Sequence, residues 1–270
     1  MSDRDVARPK DAWDRSDNYE AYVGRWSRLV AREFITWLDR PAGGAWLDVG
    51  CGTGALASAI LELANPRQVT GIDASQNFVA HAARALPDKR ATFEVGDAQA
   101  LSFADATFDT VISGLVLNFV PDQHRAVDGM VRVTRPGGVV ATYVWDYARG
   151  MEFMRHLWDA AVERDPQARE MDEGVRFPLC QPDALADFWR EKGLAGVDVR
   201  PIDIPTVFPD FDAYWEPFLG GQGAAPSYVM SLDEDARADL RERTRARLPI
   251  QPDGSIPMTA RAWAVRGSVA

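Results

Sequence analysis

The stretch Leu47-Asp48-Val49-Gly50-Cys51-Gly52-Thr53-Gly54 limits the fold of this chain more than any other. Ala45, Trp46, Leu47 and Val49 read as a buried strand, and Ala55 to Leu63 has the apolar spacing of a helix. Three glycines alternate in the turn between them. Glycine opens left-handed backbone angles, and its missing Cβ lets a ligand come close to the main chain. The helix that follows points its free N–H groups back at that ligand. A merely tight turn would need one glycine, so three in alternation predict a cofactor-binding turn.

Two cofactors are compatible with the turn itself. Gly50, Gly52 and Ala55 occupy the G-x-G-x-x-A positions of a dinucleotide fingerprint. Asp48 argues against that reading, because a carboxylate two residues before the first glycine repels a pyrophosphate. It attracts instead a ligand that carries cations. S-adenosylmethionine has an ammonium and a sulfonium on its methionine half. Gln68 to Asp73 reads as a second strand ending in an acid, placed where a carboxylate receives two ribose hydroxyls. Both cofactors contain a ribose, so Asp73 supports either one. Ala74 and Ser75 then lie near the base.

The later segments narrow the choice. Asn77 to Leu86 reads as a helix, and Ala91 to Val95 as a third strand running into Gly96-Asp97-Ala98-Gln99. Asp97 at that tip can accept an adenine amino group, and the Ala98 N–H can donate to a ring nitrogen. Phe108 to Ser113 reads as the fourth strand and Val139 to Trp145 as the fifth. LDVGCGTG, GIDAS, GDAQAL, FDTVISGLVLNFVPD and RVTRPGGVV follow one another in the order and spacing of a known family, a likeness that covers residues 17–146. The chain resembles the class I, Rossmann-like, S-adenosylmethionine-dependent methyltransferases. It departs from many of them at Asn118, where they carry histidine.

The resemblance implies an α/β fold: a doubly wound, mostly parallel, seven-stranded sheet with helices on both faces and the last strand antiparallel. It implies S-adenosyl-L-methionine as cofactor, held by Asp48, Gly50, Gly52, Gly54, Asp73, Ala74, Asp97 and Ala98. In that family a segment before the first strand often folds over the cofactor. YEAYVGRWSRL is similar, with Tyr19 and Arg25 as cofactor contacts, since a guanidinium can pair with a carboxylate. The expected activity is methyl transfer to a small organic molecule through oxygen, nitrogen or carbon. A non-catalytic cofactor-binding protein and a dinucleotide oxidoreductase stay open as alternatives.

The expected division of the chain follows. Residues 1–16 form a polar tail and 17–44 a helical lid segment, with Gly24 weakening the middle of its helical pattern. Residues 45–205 and 259–270 form the methyltransferase domain, its sixth strand at Val197 to Ile204 and its last at Ala260 to Arg266. Residues 206–258 are far too long for an ordinary connection between strands and read as an inserted substrate-binding lobe. Its Tyr214, Trp215, Phe218 and Tyr228 either wall an apolar pocket or pack a core of their own. Facing the methyl group by position are Tyr19, Tyr22, Asn118, Tyr143, Trp145 and Asp146, none of which stands out as a base.

Composition excludes several classes. The net charge of −10 and a pI near 4.9 disfavour a phosphate backbone as partner, so no nucleic acid is expected. The basic run at 241–247 follows an acidic one and reads as a solvated helix. Two cysteines and three histidines without metal-ligand spacing indicate neither a disulfide framework nor a metal. No apolar run reaches the ~20 residues of a membrane span, and the charged N-terminus lacks a signal-peptide core. The expectation is a cytoplasmic protein with no membrane partner, its oligomeric state left open.

Overall fold

In a computed structural model, which describes residues 24–220 and 223–270, the strands are β1 (Ala45–Val49), β2 (Gln68–Asp73), β3 (Ala91–Val95), β4 (Phe108–Gly114), β5 (Thr134–Trp145), β6 (Ala195–Phe208) and β7 (Ile256–Ser268). They form a seven-stranded sheet in the order β3-β2-β1-β4-β5-β7-β6. β1 to β5 pair in parallel, and β7 runs antiparallel between β5 and β6. The sequence explains the division. β1 and the Val139–Trp145 part of β5 are buried at every residue, as strands covered on both faces must be. From Ile202 to Phe208, β6 alternates buried and exposed residues, the pattern of a half-covered edge.

The outer strands run longer than their apolar cores suggest. The sixth strand expected at Val197 to Ile204 runs on through Pro205 to Phe208, because β6 is an edge strand, where a missing N–H need not interrupt the ladder. β7 extends with it, pairing as far as Ile256 with Phe208.

Helices cover both faces. α1 (Arg25–Leu38) buries Trp26, Val30, Ala31, Phe34, Ile35 and Leu38, one helical face, and begins just after Gly24. α2 (Ala55–Leu63) leaves the glycine turn. α3 (Gln76–Ala85) starts where Ser75 Oγ accepts from the Phe78 N–H. α4 (Gln123–Val133), which the sequence reading did not single out, is capped by Asp122. α5 (Glu152–Arg164) and α6 (Pro182–Glu191) precede β6. Between β6 and β7 stand α7 (Ala224–Ser231) and α8 (Glu234–Arg247), the latter capped by Asp233 accepting from the Ala236 N–H at 2.8 Å. No helix among the described residues is long and apolar enough to cross a membrane.

The aromatic residues of the 206–258 segment pack a core. Tyr214 lies 5.3 Å from the Phe208 ring and 5.4 Å from Phe218, and Phe218 reaches Phe153 of α5 at 5.9 Å. The Tyr214 hydroxyl donates to the Phe153 carbonyl at 2.6 Å. Tyr214→Phe removes that buried bond while keeping the ring, so we expect a loss of about 1 kcal/mol in denaturant unfolding and unchanged cofactor affinity. Weakened binding at unchanged stability would instead make Tyr214 part of the site.

Candidate active site

The strand order reverses between β1 and β4, and the chain leaves these two strands toward opposite sides. A crevice opens at such a point, beyond the carboxyl ends of the strands. The glycine turn sits there. It is tied to the tip of β2, because the Gly50 and Cys51 N–H groups both donate to the Ile72 carbonyl at 2.8 Å. All three glycines adopt positive φ: 77° at Gly50, 51° at Gly52 and 90° at Gly54. Their surroundings differ. A Cβ on Gly50 would lie 2.6 Å from Val116, and one on Gly54 would lie 2.9 Å from Leu86. A Cβ on Gly52 would meet no protein atom within 4 Å. Gly50 and Gly54 are therefore small for packing, whereas Gly52 keeps a cradle open.

Asp73 closes the turn from the side. Its Oδ2 accepts from the Gly52 N–H at 3.0 Å, and its Oδ1 accepts from the Ser75 N–H at 2.8 Å. Each carboxylate oxygen retains a further lone pair, enough for two hydroxyl donors. Burial raises its pKa, opposed by those two N–H groups.

Asp48 is enclosed beneath the turn, and neither of its carboxyl oxygens has a hydrogen-bond partner. Burial, reinforced by the nearby Asp73 carboxylate, pushes its pKa up to about 7. The Ala57 N–H pulls the other way, without hydrogen-bond geometry. An orphaned buried carboxyl is costly and calls for a cation close by.

A cavity of about 330 Å³ opens from the turn, a ligand-sized space. Its wall includes Gly50 to Thr53, Asp73, Ala74, Ser75, Phe78, Leu115 and Val116. Phe119, Tyr143, Trp145, Tyr147, Met154, Glu173 and Ala224 line it as well. The first group suits a nucleoside: a cradle without side chains, a carboxylate with free lone pairs, and apolar residues for a base.

Of the residues expected to hold the cofactor, Gly50, Gly52, Asp73 and Ala74 are on this wall. Gly54 and Asp48 are not. Asp97 and Ala98 also lie off it, and Asp97 is exposed, its Oδ1 accepting from the Gln99 N–H at 2.8 Å. That bond is the largest of the influences that lower its pKa. Tyr19 and Tyr22 lie outside the described residues, as does the side chain of Arg25. Tyr143 and Trp145 line the cavity. Asn118 and Asp146 are buried away from its wall, Asn118 with both amide atoms unpartnered and Asp146 accepting from the Arg149 N–H at 3.0 Å. Tyr214, Trp215, Phe218 and Tyr228 do not line it among the described residues; the 206–258 segment contributes Gly223 and Ala224.

One wall residue carried no signal in sequence. Glu173 opens the short helix Glu173–Arg176, inside a polar stretch without periodicity. It is 4% exposed, and the Trp158 Nε1–H donates to its Oε2 at 2.6 Å. Burial pushes its pKa up to about 7; its own N–H, the Trp158 donor and Arg176 oppose this, while Asp172 adds to it. Asp172 is itself bound by Arg155 at 2.7 Å.

Comparison with known proteins supplies the kinship. A family model described as a methyltransferase domain matches residues 47–142. The 2-methyl-6-phytyl-1,4-hydroquinone methyltransferase of Synechocystis sp. is 30% identical over 247 residues, covering 83% of this chain and 76% of that protein. The trans-aconitate 2-methyltransferase of Deinococcus radiodurans is 37% identical over 218 residues, covering 77% of this chain and 80% of that one. Among solved structures, a putative methyltransferase from Bacillus halodurans shares the fold with a TM-score of 0.59 at 14% identity, covering 88% of this chain and 97% of that chain. The choice between a dinucleotide and a sulfonium cofactor falls to the second. Kinship across most of both chains, on a sheet of this order, makes the chain a member of the class I methyltransferases, enzymes that draw their methyl group from S-adenosylmethionine.

Proposed function

We propose that this enzyme methylates a small, uncharged organic molecule with an apolar body. The supporting observation is the continuity of one cavity, from the Gly52 cradle and Asp73 to a wall of Tyr143, Trp145, Tyr147 and Met154. Among the described lining residues there is no lysine, arginine or histidine. A polyanion such as an aconitate would need cations there; an apolar hydroquinone would not.

In this reading Gly50, Gly52 and Ala74 provide the main-chain surface for the cofactor, and Asp73 receives its ribose hydroxyls. Asp48 acts through charge from beneath the turn, and Gly54 shapes the turn. Asp97 and Ala98 serve the adenine, and Tyr19 and Arg25 belong to a lid formed by 17–44. The 206–258 segment is the substrate-binding lobe of a catalytic domain spanning 45–205 and 259–270, and it narrows the acceptor end with Gly223 and Ala224. The cofactor supplies a methyl group on a positively charged sulfur that leaves neutral. The chain's residues then need only align the acceptor and exclude water.

Calorimetric titration with S-adenosylmethionine, S-adenosylhomocysteine and NAD tests the site. We expect micromolar binding of the two sulfur nucleosides and none of NAD; binding of NAD alone would overturn the reading. The same titration tests Asp48. Its pKa stands near 7 in the free protein, and nearby cations favour its ionised form. Cofactor binding should therefore release a proton below that value, so affinity rises with pH and levels off above about 7. Asp48→Asn should weaken binding and remove this dependence. A wild-type affinity flat from pH 5 to 8 would separate Asp48 from the cofactor.

A further inference from the structure

Glu173 is a buried carboxyl on the wall of the cavity that the glycine turn also lines. A carboxyl is an expensive group to enclose in a space that Tyr143, Trp145, Tyr147 and Met154 share unless something is made of it. Among the described residues, a hydrogen bond holds it in one orientation. From α5 the Trp158 Nε1–H binds one carboxyl oxygen. Arg155, also on α5, is engaged by Asp172 and not by Glu173. The Tyr228 ring of α7 lies 5.4 Å from the Trp158 ring, tilted by 41°. On its own segment Asp172 opposes ionisation and Arg176 favours it. From β5 and the residues just after it, the titratable groups that share the wall are the phenols of Tyr143 and Tyr147. The one other acid lining the cavity among the described residues is Asp73, which is bound to the Gly52 and Ser75 N–H groups.

We propose that Glu173 accepts the proton of a hydroxyl-bearing acceptor, a neutral phenol-like molecule seated against Tyr143, Trp145, Tyr147 and Met154. This rests on the methyltransferase reading above and names its substrate class. The acceptor's O–H bond breaks and its proton goes to a Glu173 carboxylate oxygen. An oxygen electron pair forms the new O–CH3 bond, and the pair of the broken C–S bond stays on sulfur. One cation and one anion disappear together, so the step removes charge from a poorly solvated space. An ammonium acceptor would instead place a second cation beside the sulfonium. A group whose pKa lies near 7 in the free protein is poised for such a transfer.

The experiment uses the purified full chain, S-adenosylmethionine, and two probes: 4-methoxyphenol, which stays protonated at neutral pH, and 4-nitrophenol, which is largely ionised at mildly alkaline pH. Glu173→Gln keeps the size of the side chain and an oxygen for the Trp158 donor. We expect it to lower turnover of 4-methoxyphenol by roughly 100-fold or more, leaving 4-nitrophenolate almost unaffected and cofactor affinity within about twofold. Wild-type turnover of 4-methoxyphenol should rise with pH and level off by about 7. Trp158→Phe, which removes the donor to the carboxylate, should move that limb upward. Independently of activity, the Trp158 Nε1–H resonance of the free protein should titrate near pH 7 and lose that titration in Glu173→Gln. Equal losses on both phenols, or a Trp158 signal that ignores pH, would reduce Glu173 to a structural part and overturn the proposal. Methylation of benzylamine but of neither phenol would overturn the substrate class. So would inactivity toward both phenols in wild-type protein shown by calorimetry to bind the cofactor. Failure of the cofactor to bind at all would overturn the reading beneath it.

Discussion

Gly52→Val is expected to abolish measurable binding of S-adenosylhomocysteine in a protein that still folds. A Cβ at this position meets no atom of the described residues within 4 Å, so the first carbon of the new side chain has room. The backbone does impose a cost. At a φ of 51° a β-branched residue loses about 1–2 kcal/mol relative to glycine, and the melting temperature should fall by several degrees. The larger effect is on the ligand. The added methyl groups occupy the open side of the turn, where the main chain must be approached closely. Gly50→Ala is the contrasting control: its Cβ would sit 2.6 Å from Val116, so stability should suffer first. Circular dichroism establishes folding and calorimetry reads affinity. Unchanged affinity in folded Gly52→Val would remove the cofactor from this turn.

The second large effect is expected at Asp73. Asp73→Asn keeps the shape of the side chain but exchanges one acceptor oxygen for an N–H donor. The carboxylate accepts from both the Gly52 and Ser75 N–H groups, and an amide can satisfy only one of them with oxygen. The turn then loses a tie, and one of the positions offered to ribose loses its acceptor. Leaving such groups unpaired costs about 1–3 kcal/mol, a drop in cofactor affinity of roughly 5- to 150-fold. Titrating the variant with S-adenosylhomocysteine checks this. Wild-type affinity would mean that the tip of β2 does not carry the ribose.

These two residues were readable because their signals are local. Alternating glycines between an apolar run and a helical one specify a turn without reference to anything distant. An acid at the end of the next strand is placed by the βαβ unit itself. The five parallel strands were legible for the same reason: β1 and most of β5 are apolar runs buried on both faces, and edge strand β3 is a short alternating one. Boundaries at the far edge were less so: the sixth strand reads as ending at Ile204, yet Pro205 passes within it because that strand lies at the edge.

What the chain's order alone determined was the kind of sheet, the position of the glycine turn, and the acid that closes it. Tertiary structure decided which side chains face the cavity. Tyr214 and Phe218 have the composition of a pocket wall, yet they pack against Phe153, because a long insert must bury its own apolar surface before it can serve a ligand. Asp48 sits beneath the turn and Asp97 outside the wall, a difference of direction that spacing along a strand does not encode. Glu173 reaches the cavity only because α5 brings Trp158 to its carboxyl from fifteen residues earlier. Local patterns specify elements; which of their side chains share one enclosed space depends on contacts between segments distant in the chain.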